Sequence, residues 1–408
     1  MMRARIAVLL VLWLLPLVVA GQIQLGDEVL AADGCRELQG KRVGLLTNPS
    51  GVNHQLESTI DVLRRAPGVR LVALFAAEHG LSGDVPAGVE FPNRLDSRTG
   101  LPVFSLYGPG PTRAPTPAML RNVDAVVYDI QDTGCRSYTF ITTLGLTMAA
   151  CAAANVEFVV LDRPDPLGGE RVEGPTLDPR FRSMVGQWEV PYIYGLTCGE
   201  LARMINGEHW ISKPCRLTVV PLKHWERGMV WRATGLPWVA PSPNIPQDDS
   251  PLFYAATGLL GELGGLNIGI GSPWPFQVVG APWLDADQFS RGMNQVGLYG
   301  VRFRPVTFRP FNSVYPMRGA QIYFTDRARA PLLAISFYLM DAVRKLTGRN
   351  LYLEALAARK SFAMFDKVTG SDATRQALAA GRSAAAIVNS WKAGEAAFRQ
   401  QRQKYLLY

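Results

Sequence analysis

Short apolar runs that end abruptly in polar side chains recur through the first half of this chain. Arg42-Val43-Gly44-Leu45-Leu46-Thr47 runs into Asn48, residues 71–77 run into Glu78-His79-Gly80, Ala125-Val126-Val127-Tyr128 runs into Asp129-Ile130-Gln131-Asp132, and Phe158-Val159-Val160-Leu161 runs into Asp162-Arg163-Pro164-Asp165. The runs are rich in Val and Leu and do not alternate, as in strands buried on both faces of a parallel sheet. Residues 102–107 read as a further strand closed by Gly108-Pro109-Gly110-Pro111. Between the strands, the patterning predicts helices over 56–65, 117–122 and 140–154. Another covers 197–206, opened by the capping-box pattern Thr197-Cys198-Gly199-Glu200. Strand and helix signals alternating at this spacing predict an α/β fold with a parallel, doubly wound sheet. Parallel strands bring their carboxyl ends to one edge. Glu78, His79, Asp129, Asp132, Asp162 and Arg163 are therefore expected together, with Glu78 facing at least one of the three aspartates across a cleft.

The pattern changes in the second half. Residues 225–251 are rich in Trp and Pro, as in Trp238-Val239-Ala240-Pro241-Ser242-Pro243-Asn244. This reads as a rigid connector and places a domain boundary near its start, giving units 21–228 and 229–408. A Gly-rich stretch over 258–271 follows. Strands are predicted over 301–308 and 320–324, and helices over 331–346 and most of 374–403.

A chain of 408 residues exceeds one ordinary domain, and 48% hydrophobic residues can fill a large core. The net charge of +8 is scattered. No Lys/Arg run or aromatic-basic interleaving marks a nucleic-acid binder. Arg3 and Arg5 precede an apolar stretch over 6–19, and Val18-Val19-Ala20 offers small residues before Gly21. This is the layout of a signal peptide over 1–20. The stretch is shorter than the ~20 residues that span a bilayer, and Pro16 interrupts it. The expectation is a secreted or periplasmic protein with no stable membrane span after cleavage. Five cysteines, an odd number, leave at least one unpaired and leave room for one disulfide.

The chemistry candidates lie at the strand ends. Glu78 beside His79 suits general acid or base work; it equally suits a loop carboxylate that caps a helix or pairs with Arg94. Asp129, Gln131 and Asp132, followed by Arg136 and Tyr138, suit recognition of hydroxyls and a carboxylate, or else build a turn. Arg163 can grip a carboxylate bidentately or pair with a neighbouring acid. Asn48-Pro49-Ser50-Gly51 stands where a dinucleotide fold carries Gly-x-Gly-x-x-Gly, and the absent fingerprint argues against a nucleotide cofactor. The four histidines form no metal motif, and there is no Gly-x-Ser-x-Gly elbow. No cofactor is expected. What remains is hydrolysis by carboxylates, and glycoside hydrolysis usually uses two.

These same residues resemble a known family, the exo-acting β-N-acetylmuramidases of the NamZ type. The resemblance runs through nearly the whole chain. It rests on Gly44-Leu45-Leu46-Thr47-Asn48-Pro49-Ser50-Gly51, Glu78-His79-Gly80, Ser105-Leu106-Tyr107-Gly108 and Asp129-Ile130-Gln131-Asp132-Thr133-Gly134. It continues in Leu161-Asp162-Arg163-Pro164, Glu173-Gly174-Pro175, Pro237-Trp238, Pro241-Ser242-Pro243-Asn244 and Lys404-Tyr405-Leu406-Leu407-Tyr408. It implies a Rossmann-like N-terminal domain, a smaller α/β C-terminal domain, and release of N-acetylmuramic acid from non-reducing ends of peptidoglycan fragments or muropeptide-derived sugars. The glutamate of the family's Glu-His-Gly motif falls on Glu78. The expected site has Glu78, His79 and Asp129 as catalytic residues. Asn48, Gln131, Asp132, Arg136, Tyr138, Asp162, Arg163, Asn244 and Glu262 are expected to bind substrate.

The chain departs from the family pattern at several points. Ala77 replaces a Pro, Tyr194 a His, and Asp165 an Asn. Where the family carries two acids and an Arg near the Gly-rich stretch, Glu262 stands for the first acid, and Ile268 and Ile270 replace the others. A charged wall becomes apolar, so Arg163 or Arg136 is expected to supply the missing cation. Two alternatives follow from the change: a hydrolase of a different amino sugar, or a non-catalytic binder of cell-wall sugars.

Overall fold

The computed structural model describes residues 21–108 and 113–408. The expected signal peptide, and residues 109–111 beyond the third predicted strand, lie outside the described residues. The N-terminal domain is built on a seven-stranded sheet of β1 (Arg42–Thr47), β2 (Arg70–Ala76), β3 (Arg94–Leu95), β4 (Pro102–Ser105), β5 (Ala125–Asp129), β6 (Glu157–Leu161) and β7 (Leu217–Val220). Their spatial order is β3-β4-β2-β1-β5-β6-β7. All neighbours pair in parallel except β3, a two-residue antiparallel edge too short to leave a periodic signal. The chain winds outward from β1 through β2 to β4, returns to β5, and winds the other way through β6 to β7. That is the doubly wound order of a Rossmann-like sheet.

The central strands are covered on both sides, which is why they lack alternation. Leu45, Leu74, Val127 and Val159 face one layer with Leu30, Ile60 and Leu63. Phe75, Val126, Tyr128 and Phe158 face the other, with Leu144, Met148, Cys151 and Leu201. The first layer comes from the helices Gly26–Ala32 and Thr59–Arg65, the second from Phe140–Ala154 and Cys198–Gly207. The capping box forms as the sequence predicts. Thr197 Oγ accepts the Glu200 amide at 3.2 Å, and Glu200 Oε2 accepts the Thr197 amide at 3.1 Å.

The C-terminal domain packs a three-stranded antiparallel sheet, β8 (Val278–Ala281), β10 (Met317–Phe324) and β9 (Val301–Phe308), against the helices Ser250–Leu263, Ala286–Val296 and Leu332–Thr347. Helix Ser250–Leu263 runs straight through Gly258 and Gly261, because its buried Leu252, Ala256, Leu259 and Leu260 secure it to the core. β10 begins three residues before its predicted start, since Met317–Gly319 pair with Val306–Phe308 across the hairpin. The tail is helical over Ala373–Ala379, Ala384–Ser390 and Lys392–Arg402. Its end leaves the second domain. Phe398 and Tyr405 enter the core of the first, and the Tyr408 hydroxyl donates to Asp162 at 2.7 Å. All five cysteines are free and buried.

Candidate active site

A cleft of ≈ 710 Å³ opens between the two domains. One wall comes from the β2 and β4 ends and the start of helix Phe140–Ala154, which contribute Glu78, His79, Tyr107, Ser137, Tyr138 and Thr139. The opposite wall carries Tyr254, Glu262, Ile268, Ile270, Phe276 and Lys367, and the connector adds Ser242 and Asn244.

Glu78 sits just beyond β2 and is buried. Its Oε1 accepts the Gly88 amide at 2.7 Å, and its Oε2 accepts the Thr139 hydroxyl at 2.6 Å. A hydroxyl can donate to a carboxylate or accept from a carboxylic acid, so Thr139 can serve both protonation states. Burial and the adjacent Glu78 charge push the Tyr107 phenol up to about 12. His79 holds φ at 71°, an uncommon left-handed backbone for a non-glycine residue. Its Nδ1 lies 2.8 Å from the Val85 carbonyl. A carbonyl only accepts, so Nδ1 carries a proton. Aromatic rings line the cleft: Tyr138 and Tyr254 meet edge to face at 5.3 Å, and Tyr254 and Phe276 at 5.1 Å. Tyr138 bonds Ser242, and Ser137 lies 2.8 Å from the Tyr254 hydroxyl, tying the wall together. Glu262 is lifted above its ordinary value by burial, with Lys360 opposing.

The expectation that Glu78 faces an aspartate is overturned. None of Asp129, Asp132 and Asp162 lines the cleft. In a sheet of this order the crevice expected for ligand lies between β1 and β5, and here it is filled. Asp129, fully buried, pairs with Arg163 Nε and with Nη2 at 3.0 Å, and accepts the Thr59 hydroxyl. Asn48 donates to the Pro241 carbonyl at 3.1 Å, which draws the connector over the crevice. Gln131 donates to the Asp132 and Pro164 carbonyls, both at 2.9 Å. The space left beside Gln131 and Arg163 is ≈ 10 Å³. Asp129 is thus the internal partner of Arg163 rather than a group at the cleft, and Asn48, Gln131 and Arg163 hold loops.

Asp162, Asp132 and Arg136 also make internal contacts away from the cleft. Asp162 accepts the Gly199 amide at 2.8 Å and the Thr197 hydroxyl at 2.6 Å. Gly199 permits this approach, since a Cβ there would lie 2.7 Å from the Asp162 carboxyl carbon. Asp132 accepts the Gly134 amide at 2.7 Å and the Tyr194 hydroxyl. Arg136, fully buried, donates to the Pro175 and Val190 carbonyls at 2.7 Å and to the Val368 carbonyl at 3.0 Å. It therefore clamps the two domains. Of the expected residues, Glu78, His79, Tyr138, Asn244 and Glu262 line the cleft. The sequence reading does not select Tyr107, Ser137, Thr139, Tyr254 or Lys367. Only Tyr107 lay within a quoted motif.

The buried aspartates leave a pH signature. Burial lifts Asp132 and Asp162 to about 6, Asp27 to about 7 and Asp165 to about 8, with Asp132 adding to the last. An unfolded carboxyl titrates near ~3.9. Between those values the folded chain keeps protons that the unfolded chain has released, so stability falls as pH rises. The contribution is complete below ~3.9 and gone once pH has passed each folded value. The melting temperature is therefore expected to climb as pH drops from about 8 to about 5. Asp165→Asn, a neutral isostere, is expected to flatten the slope above about pH 6 and to raise the melting temperature at pH 8. A thermal-shift series over that range checks this, and an unchanged slope would remove Asp165 as its source.

Two carboxyls, Glu78 and Glu262, line a cleft with aromatic rings in a two-domain α/β protein, and a carboxyl pair is what most glycoside hydrolases use. The chain belongs to the exo-β-N-acetylmuramidase NamZ family: the N-terminal family model matches residues 43–249 and the C-terminal one residues 252–408. The peptidoglycan β-N-acetylmuramidase NamZ of Bacillus subtilis (strain 168) is 40% identical over 390 residues, covering 95% of this chain and 92% of that protein. Two crystal structures of DUF1343 family proteins from Bacteroides fragilis NCTC 9343 share the fold. One has a TM-score of 0.85 at 45% identity and the other 0.75 at 29%. Each covers 95% of this chain and 99% of the other.

Proposed function

We propose that this chain is an exported glycoside hydrolase that releases N-acetylmuramic acid from the non-reducing ends of peptidoglycan fragments. The observation that carries the reading is Glu78, the glutamate of the family's Glu-His-Gly motif, held at a strand end in the interdomain cleft. Export is supported by the basic start, apolar centre and small exit of residues 1–20.

Glu78 donates the proton to the leaving glycosidic oxygen. The Gly88 amide and Thr139 hydroxyl fix its carboxyl plane, so little orientational freedom is lost in the transition state. Glu262 is the other carboxyl lining the cleft, and we assign it the second role of a two-carboxyl mechanism, supporting the incoming water or the sugar. The aromatic side chains offer apolar faces to a sugar ring. The apolar Ile268 and Ile270 favour a second reading, hydrolysis of a different amino sugar by the same machinery.

Incubating the mature protein with a chromogenic β-muramide and the matched β-glucosaminide tests both readings. Turnover of the muramide with little of the glucosaminide is the expected result. Preference for the glucosaminide would select the second reading, and inertness toward both would sink the hydrolase.

A further inference from the structure

A muramic sugar differs from glucosamine by a lactyl ether that ends in a carboxylate. A site that reads this group needs a cation within reach. The cations expected to provide it are committed elsewhere. Arg163 is bound to Asp129 and to the Val52 carbonyl, and Arg136 to three backbone carbonyls. Ile268, buried, and Ile270, exposed, line the same wall and offer no charge.

Among the described residues lining the cleft, one cation remains, and it comes from the other domain. Lys367 lies on helix Ala363–Thr369, and Met364, Lys367 and Val368, at helical spacing, present one face of that helix to the cleft. The helix is anchored from beneath. Arg136 donates to the Val368 carbonyl at 3.0 Å, and the Asp178 amide donates to the Gly370 carbonyl at 2.8 Å. Lys367 is half-buried and, among the described residues, makes no ion pair within 4 Å. The ammonium thus has a fixed base, a flexible reach and no carboxylate of the protein to satisfy. The other charges lining the cleft are the carboxyls Glu78 and Glu262. They would repel an anionic substituent that met no cation.

We propose that Lys367, on the helix Ala363–Thr369 of the C-terminal domain, reads the carboxylate of the substrate where the facing Ile270 cannot. The ligand class is a β-glycoside whose sugar bears a carboxylate. Arg136 is then a positioning residue that acts through the Val368 carbonyl. This inference rests on the glycosidase reading for its substrate, so the test includes binding as well as turnover.

The variants are Lys367→Met and Lys367→Arg. For each, kcat/KM is measured on the chromogenic β-muramide and β-glucosaminide, and affinity is measured by calorimetry for free N-acetylmuramic acid and N-acetylglucosamine. Loss of one charge-assisted bond is expected to lower the muramide preference of Lys367→Met by roughly 10–150-fold. Glucosaminide constants should stay unchanged, and Lys367→Arg should keep most of the preference. A Lys367→Met variant that discriminates like wild type would overturn the proposal, as would a wild type that binds the two sugars equally. A wild type that hydrolyses neither glycoside yet binds the acidic sugar through Lys367 would refute the hydrolase and uphold this assignment.

Discussion

Glu78→Gln is expected to lower turnover by at least ~100-fold, and by as much as ~10⁴-fold, the span typical of a general acid. The substitution keeps shape and removes the transferable proton. The amide oxygen can still accept from the Gly88 amide, and the amide nitrogen can donate to Thr139, whose hydroxyl turns to accept. The fold and the cleft should therefore survive. Because the interaction is made in the transition state, kcat should fall with KM nearly constant. A melting curve that overlays the wild type separates this from damage to the fold. Turnover within a few-fold of wild type would remove Glu78 from the acid role.

The second large effect falls on stability and not on chemistry. Asp129→Ala leaves the Arg163 guanidinium buried at 4% side-chain exposure with its partner gone. Breaking a buried pair from one side typically costs ~3–5 kcal/mol. The Asp27 carboxyl is close enough to feel both charges, being raised by burial and by Asp129 and lowered by Arg163. With Asp129 removed, Asp27 should ionise and return part of the loss, which places the expected cost near the lower end of that range. The double variant Asp129→Ala/Arg163→Met should recover stability relative to Asp129→Ala, since no uncompensated charge stays behind. Urea titration gives both numbers. At low temperature the folded Asp129→Ala protein should retain most of its kcat. A loss of kcat on the scale of Glu78→Gln, without a loss of stability, would restore Asp129 to the chemistry.

The sheet was legible because its strands carry a local signal. β1, β2, β5 and β6 are continuous apolar runs, and each ends where the polar residues begin. The caps were legible for the same reason: the Thr197–Glu200 pair needs only four adjacent residues. The lining of the candidate cleft was legible where a motif lies on it, as at Glu78, His79 and Asn244. It was misread at Asp129, Asp132, Asp162 and Arg163. Their place at the strand ends was read correctly, but a strand end can face a ligand or another strand end, and the pattern is the same for both. What decided it was the connector, drawn across the β1–β5 crevice by Asn48 and Pro241, which closes that space and leaves the open one over β2 and β4. Tyr254 and Lys367 were invisible for a related reason. Neither belongs to a motif, and only the docking of the two domains turns each toward Glu78's side of the molecule.

The bond between Asp162 and Tyr408 spans 246 residues, and it bears on how the chain is made. Closing so long a loop is slow, because the ends must be brought together before any contact rewards them. Domains usually complete themselves as they leave the ribosome, first domain first. This first domain lacks Phe398, Tyr405 and Tyr408 until the second has been synthesised, so translation of the second half is an interval in which its Cys198–Gly207 flank stays uncovered. A delay of that sort makes the strip from Phe398 to Tyr408 a poor place to attach anything bulky.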